Sequence, residues 1–512
     1  MNVFANILKV IIILLALAVV VVVLLLGAMV LFPSFSVFGI HYVNGDDKIM
    51  YSYYDIEHPD NVERWGSVDT FCIETGSWDV YVYSNEVTKT THTAKGLDAD
   101  LTRKYSGFAN NNVSVAALSN YVFETKKDGN YLTLSTTEPT GWYSRYDCAV
   151  YVYVDVDTLA DKTLLIKTNS GKVTIGEEIT DRSHTLNIQR LDVVANGGST
   201  VVCDVDVADG VNIQKASGDI TIRPSLTCDV KLGISSGLGN ISVADVGSET
   251  EKSSLVIDKL HNNGVTFKTI YGDLMVNAST GIINGSCVMG NVVFDGVNCS
   301  LSLDSVYQKL YFNSVDGSLK VNKNANIVMA DVTGSGSVAV SNLNGQSILE
   351  TTNGSINVKS ACADLTARSV NGNITITNGK DCEVDYFVEA GNGLVTVNEI
   401  NGSINFNTLN NGRAQFHGSF DRLIGNNVVK TYSGEINIDM LDAGYGFLLK
   451  EWQTTTTVYF KLSGFEDFST KKSADNEAYK NGVKIGGYTG TGDTLTVLST
   501  VGKLRVVHPS LI

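Results

Sequence analysis

Gly354-Ser355-Ile356-Asn357-Val358, answered eighteen residues later by Gly372-Asn373-Ile374-Thr375-Ile376, decides how this 512-residue chain folds. In both, glycine and a small polar residue precede an aliphatic–polar–aliphatic triplet. Alternation at period two sends every second side chain to one face, so each unit reads as a short, half-buried strand behind a bend.

The unit recurs in both directions. Ser170-Gly171-Lys172-Val173-Thr174-Ile175 and Ser217-Gly218-Asp219-Ile220-Thr221-Ile222 are early copies, and Gly239, Gly272, Gly317 and Gly336 open others. Gly402-Ser403-Ile404-Asn405-Phe406 and Gly434-Glu435-Ile436-Asn437-Ile438 extend the series. Glycines at 336, 345, 354, 372, 393, 402 and 412 step by nine or a near multiple of it. A short fixed period means that each unit buries its apolar face against its neighbours. Two such units close a coil of about 18–22 residues, and stacked coils make a β-solenoid. The expected role of glycine and asparagine before each strand is a positive φ at the bend. Cys228 and Cys382 each precede such a glycine by eleven residues and share parity with the aliphatic residues after them. Both are expected to point inward.

The texture changes toward the ends. Trp78-Asp79-Val80-Tyr81-Val82-Tyr83 and Cys148-Ala149-Val150-Tyr151-Val152-Tyr153 are longer and more aromatic, which suggests a sandwich-like entry module over 61–165. Thr494-Leu495-Thr496-Val497 and Lys503-Leu504-Arg505-Val506-Val507 read as closing strands. A solenoid needs caps because an open end presents unpaired strand edges. The expected fold class is therefore all-β, a β-solenoid at 166–440 with a C-terminal β cap at 441–512.

One transmembrane helix is expected before it. Val10 to Phe32 is 23 residues without a charge. A bilayer core about 30 Å thick needs about 20 apolar helical residues, so the run is long enough to span. It exceeds the roughly 7–15 apolar residues of a cleavable signal peptide, so it reads as a signal-anchor. Lys9 precedes it, and the first charges beyond it are Asp46, Asp47 and Lys48. Positive charge stays in the cytoplasm, which places a short tail (1–9) inside and the bulk of the chain outside the cell membrane, after a juxtamembrane linker at 33–60. A formal net charge of −16 without a basic cluster argues against nucleic acid as a partner.

No catalytic constellation stands out, and no cofactor-binding motif is present. Seven histidines are scattered without an i, i+2 or i, i+4 partner, and no Gly-x-Ser-x-Gly elbow occurs. The eight cysteines, at 72, 148, 203, 228, 287, 299, 362 and 382, include no C-x-x-C pair, so a zinc site is not expected. Cys203, Cys228, Cys299 and Cys382 sit at inward strand positions, where cysteine serves as a small hydrophobe. An even count outside the cell also allows disulfides, and Cys72 with Cys148 is the pair to test first. Asp155 with Asp157 and Asp204 with Asp206 alternate along strands. A solvated outer face is one account of them and a calcium site is another, although no EF-hand or calcium nonapeptide occurs.

The repeated Ser-Gly-Asp-Ile-Thr-Ile unit resembles a bacterial family of cell-envelope β-solenoid domains known as putative adhesins. The lead-in from Val68 to Val82 around Gly76, and the passage through Asn130–Leu134, Val150–Val154 and Leu164–Ile175, are similar as well. The resemblance spans roughly residues 60–510. It implies a domain of unknown biochemical function with no catalytic residues to carry over, in some members behind one membrane span near envelope-stress genes. The expected function is a non-enzymatic, adhesin-like interaction or scaffold role at the surface. Its partners would be envelope polymers, carbohydrate or another surface protein. The alternatives are an accessory of an envelope-stress sensor and, less favoured, a polysaccharide-active enzyme.

Overall fold

A computed structural model describes, apart from short gaps, residues 15–21, 34–51, 68–84, 97–109, 123–136, 143–176, 185–441, 448–471 and 493–507. The chain divides into two compact units, Met1–Pro224 and Ser225–Ile512. Both are built almost wholly of β-strands stacked as coils. Of the apolar run from 10 to 32, residues 15–17 and 19–21 are helical and the rest lies outside the described residues. Among the described residues no helix is long and apolar enough to cross a membrane.

In the first unit two parallel ladders carry the coils. One stacks Thr70–Thr75, Leu159–Thr168, Leu186–Ala195 and Val205–Lys215. The other stacks Asp79–Ser84, Val173–Ile175, Thr200–Val202 and Ile220–Ile222. Of the sandwich-like module expected at 61–165, Thr70–Thr75 and Asp79–Ser84 instead join the stack of coils. Its strands pair in parallel with the repeats because Val80, Val82 and Val152 share their inward parity and are fully buried. Tyr131–Thr136 and Tyr143–Val154 lie on the far side of Thr70–Thr75 and Asp79–Ser84. Their outer edges are covered by antiparallel strands, Phe123–Asp128 on the first and Leu97–Ala109 on the second. Ile40–Tyr51 and then Ser34–Val37 continue that antiparallel sheet.

In the second unit the step between coils is read directly from the register. Val338 pairs with Ile356 and Ile356 with Ile374, a step of eighteen each time, and Ile374 pairs with Val395, a step of twenty-one. Inward residues stack over one another along the core. Phe294 and Phe312 lie 4.6 Å apart and Phe406 and Phe416 5.0 Å apart. Thr494–Ser499 and Leu504–Val507 pair as expected but do not close the stack, because Leu448–Gln453 and Val458–Lys461 lie beyond them.

Some corner glycines take the positive φ expected of them, Gly218 at 91°, Gly393 at 112° and Gly402 at 143°, but others have a different cause. Gly354 and Gly372 do not adopt positive φ; they are required by the approach of the neighbouring coil. A Cβ on Gly354 would sit 1.6 Å from the carbonyl oxygen of Gly336, and one on Gly372 1.9 Å from that of Gly354. A buried hydroxyl three residues earlier completes the corner. Ser369 Oγ accepts the Gly372 N–H at 2.8 Å and donates to the Gly354 carbonyl at 3.2 Å. Thr431 does the same for Gly434 and Ala414, at 2.9 Å each. The Gly354 carbonyl also accepts the Thr351 hydroxyl at 2.7 Å, so losing Ser369 strands chiefly the buried Gly372 N–H, at a cost of about 1–3 kcal/mol.

In the first unit Lys215 occupies this position, three residues before Gly218. It is buried, and its ammonium donates to the Gly198 carbonyl at 2.6 Å, Thr200 Oγ1 at 3.2 Å and the Asp219 carbonyl at 3.3 Å. Burial pushes its pKa down from 10.5 to about 8, against the opposing pull of the Asp219 charge.

Two outcomes follow from the corners. Gly354→Ala forces a carbonyl aside and lowers stability by about 1–3 kcal/mol or more, measured by chemical denaturation. Lys215→Thr restores the hydroxyl. Below pH 8 both folded and unfolded parent chains hold the lysine proton, so the cost of burying the charge is fully present. Between pH 8 and 10.5 the unfolded chain binds more protons, so parent stability rises with pH. The advantage of Lys215→Thr over the parent is therefore largest below pH 8 and shrinks toward pH 10.5. An advantage that does not change with pH would contradict a buried charge.

Candidate interaction surface

Because coils stack in register, an outward residue in one coil lies beside its counterpart in the next. The two sheets of the second unit differ sharply in what they present outward.

On one sheet the outward column runs Met275, Val293, Tyr311, Met329, Ile348, Thr366, Phe387. Register pairs join Met275 to Val293, Tyr311 to Met329, Met329 to Ile348, Ile348 to Thr366 and Thr366 to Phe387. The stacked rings of Phe294 and Phe312 bring the residues that precede them, Val293 and Tyr311, side by side. Six of the seven are large hydrophobic side chains exposed by 38–47 %. At about 4.8 Å per coil, the column is about 29 Å long. A contiguous apolar stripe of roughly a few hundred Å² on an exposed sheet face marks an interaction surface, whereas isolated exposed hydrophobics do not.

Polar residues two positions on in each strand border the stripe: Asn277, Asp295, Asn313, Asp331, Glu350, Arg368 and Glu389. Asn313 Nδ2 donates to Asp295 Oδ1 at 3.1 Å. Arg368 lies 3.9 Å from Glu350 and 3.7 Å from Glu389. This border keeps the stripe soluble and its edges defined.

The other sheet carries no such stripe. Its outward column is Asn284, Ser302, Lys320, Ala339, Asn357, Thr375, Thr396, His417, Asn437 and Arg505. At its end, His417, Asn437, Asp439 and Arg505, with Asn398 and Ser419, line a cleft of about 360 Å³. The principal groups there are already paired, except Asn437 Oδ1, which is buried without a hydrogen-bond partner. Arg505 donates to Asp439 at 2.6 Å, His417 Nε2 meets Asn437 Nδ2 at 2.8 Å, and Ser419 Oγ accepts the Glu399 N–H at 2.9 Å. The histidine faces an amide and the carboxylate an arginine, so neither pair is the base-and-nucleophile arrangement of covalent catalysis.

The cysteines resolve differently from the first expectation. Cys72 is a free, buried thiol on Thr70–Thr75, and burial raises its pKa. Cys148 lies on Tyr143–Val154, which pairs with Asp79–Ser84 and Leu97–Ala109 rather than with the strand of Cys72. Cys203, Cys228 and Cys299 are buried and form no disulfide, as their parity implied, and burial pushes Cys299 up to about 12. Cys382 is not free; it forms a disulfide with Cys362, twenty residues away. Twenty residues is one coil, so the bridge joins neighbouring coils. The spacing was visible in the sequence, but only the coil period gives it meaning. Of the carboxylate pairs, Asp206 is exposed and Asp204 Oδ1 accepts the Thr185 hydroxyl at 2.8 Å. Asp157 accepts from Asn187 at 2.6 Å, and Asp155 lies outside the described residues. Among the described residues no three His, Cys, Asp or Glu side chains converge to hold a metal ion.

Closing a loop of this length stabilises a fold by about 3 kcal/mol. Reduction with dithiothreitol is expected to lower the denaturation midpoint of the parent. A Cys362→Ser, Cys382→Ser double variant is expected to start lower and not respond to the reductant.

No curated protein matches the chain. A solved structure described as a "putative cell adhesion protein from Clostridium sporogenes ATCC 15579" is 9% identical, covering 47% of this chain and 98% of that one at a TM-score of 0.21. That value is too low to carry an argument. The family comparison bears on the chain directly: residues 93–280 match the family model described as Toastrack DUF4097, in keeping with the envelope-domain resemblance of the repeats.

Proposed function

We propose that this chain is a non-enzymatic surface interaction protein, tethered to the cell membrane by residues 10–32, which engages its partner through the apolar stripe. The carrying observation is that stripe: Met275, Val293, Tyr311, Met329, Ile348 and Phe387 in one exposed column beside a polar border. Leaving six large hydrophobics in water costs solubility, and a partner that covers them offsets this cost through the hydrophobic effect. The other sheet shows that the coil geometry does not itself require outward hydrophobics.

Two features support placement outside the cytoplasm. The 23-residue uncharged run is long enough to span a bilayer with Lys9 on its inner side. The Cys362–Cys382 disulfide suits an oxidising compartment and would be reduced in a typical cytosol.

The test is adhesion of cells displaying the full chain to envelope polymers and to partner cells. Tyr311→Lys with Met329→Lys places two charges in the middle of the stripe without touching the core. Binding is expected to fall at least tenfold while circular dichroism and surface display stay unchanged. Undiminished binding by this variant would reject the stripe as the contact surface.

A further inference from the structure

In the second unit the last described strands in sequence do not lie at the end of the stack. Leu448–Gln453 and Val458–Lys461 come before Thr494–Ser499 and Leu504–Val507 in sequence but lie beyond them in both ladders. The final coil therefore fills a slot that is already walled on both sides. Asn426–Thr431 and Ile436–Met440 form one wall, and Leu448–Gln453 and Val458–Lys461 form the other.

The slot is specific for its occupant. Leu495, Val497 and Leu504 are buried in it. Asp493 Oδ1 accepts the Gly425 N–H at 2.8 Å, Asn427 Nδ2 donates to the Thr494 carbonyl at 3.2 Å, and Ser499 Oγ donates to the Gly434 carbonyl at 3.3 Å. An empty slot would expose these apolar residues and strip both walls of backbone partners, so it favours being refilled by the same sequence. None of these contacts requires the occupant to come from the same chain.

The connection permits another source. Twenty-one residues (472–492) separate Phe468–Lys471 from Asp493. Fully extended they reach about 70 Å. The crossing passes from the ladder of Val458–Lys461 to that of Leu448–Gln453, sheets about 10 Å apart, plus a few strand spacings of about 4.8 Å, and connections in compact domains are commonly about 4–6 residues. The linker is far longer than the intramolecular route needs.

The geometry points to a second copy of this chain as the partner: residues 493–507 of each copy occupy the slot of the other, giving a two-fold dimer by strand exchange. The exchanged dimer makes the same slot contacts as the monomer. The balance between them is therefore set by protein concentration against the effective concentration imposed by the linker. This inference is independent of the apolar stripe and of what the stripe binds.

The test uses full chains with one added cysteine on either side of the slot. Val428 and Thr496 are register partners on outward positions of Asn426–Thr431 and Thr494–Ser499. A Val428→Cys chain and a Thr496→Cys chain are mixed at high concentration, incubated and oxidised with copper phenanthroline. A covalent dimer is expected, at least tenfold above either single variant alone. It is also expected to exceed by tenfold a control mixture of Ile348→Cys and Thr366→Cys chains, register partners in the middle of the unit. The double variant Val428→Cys, Thr496→Cys in one chain, oxidised while dilute, reports whether the slot is filled as described. Cross-linking of that double variant with none in the mixture would overturn exchange. Failure of the double variant to cross-link would overturn the slot itself, and exchange with it.

Discussion

Everything in the coils depends on one close approach: the carbonyl oxygen of a corner glycine against the α-carbon of the glycine one coil on. At Gly336, Gly354 and Gly372 there is no room between them for a methyl group. That contact fixes the spacing of the coils, and the hydroxyl of Ser369 or Thr431 fixes their register by tying two coils through one side chain. Strand pairing, the stacked aromatic core and the outward columns all inherit that register. A solenoid has no long-range core to correct a slipped coil, so the corner must be specified anew each time.

The repeating strands were legible in the sequence because alternation at period two is a local signal. Cys203, Cys228 and Cys299 were legible for the same reason. The meaning of the glycines was not. Positive φ and steric exclusion by a neighbouring carbonyl both select glycine, and only the structure tells them apart at Gly354. The ends were misread where texture stood in for topology. Tyr81, Tyr83, Tyr151 and Tyr153 made 61–165 look like a separate module, yet the valines between them carry the parity of the coils. Nor can sequence order reveal that Thr494–Ser499 sits inside Leu448–Gln453.

The stripe was hidden for a different reason. Met275, Val293, Tyr311, Met329, Ile348 and Phe387 are each a single exposed hydrophobic in its own strand, and singly each is unremarkable. They become a surface only when aligned by steps of eighteen to twenty-one residues. The Cys362–Cys382 bridge was concealed in the same way, since its spacing of twenty means nothing until a coil is known to be that long. Once the register is known, both can be read from the sequence by arithmetic. Lys215 is the converse case. The repeat marks it as out of place three residues before Gly218, but only its three acceptors explain how a charge survives there.

The eighteen-residue step between Val338, Ile356 and Ile374 has a consequence for how such a chain can change over evolutionary time. Removing the eighteen residues from Ser337 to Gly354 would bring Ser355 directly after Gly336, and Gly372 would then face Gly336 as it now faces Gly354. The stripe would lose one rung, Ile348, and nothing else about the surface would need to be redrawn. Duplication would add a rung as simply. Contact length in this molecule is therefore quantised, and it can be lengthened or shortened by whole coils without reinventing the fold.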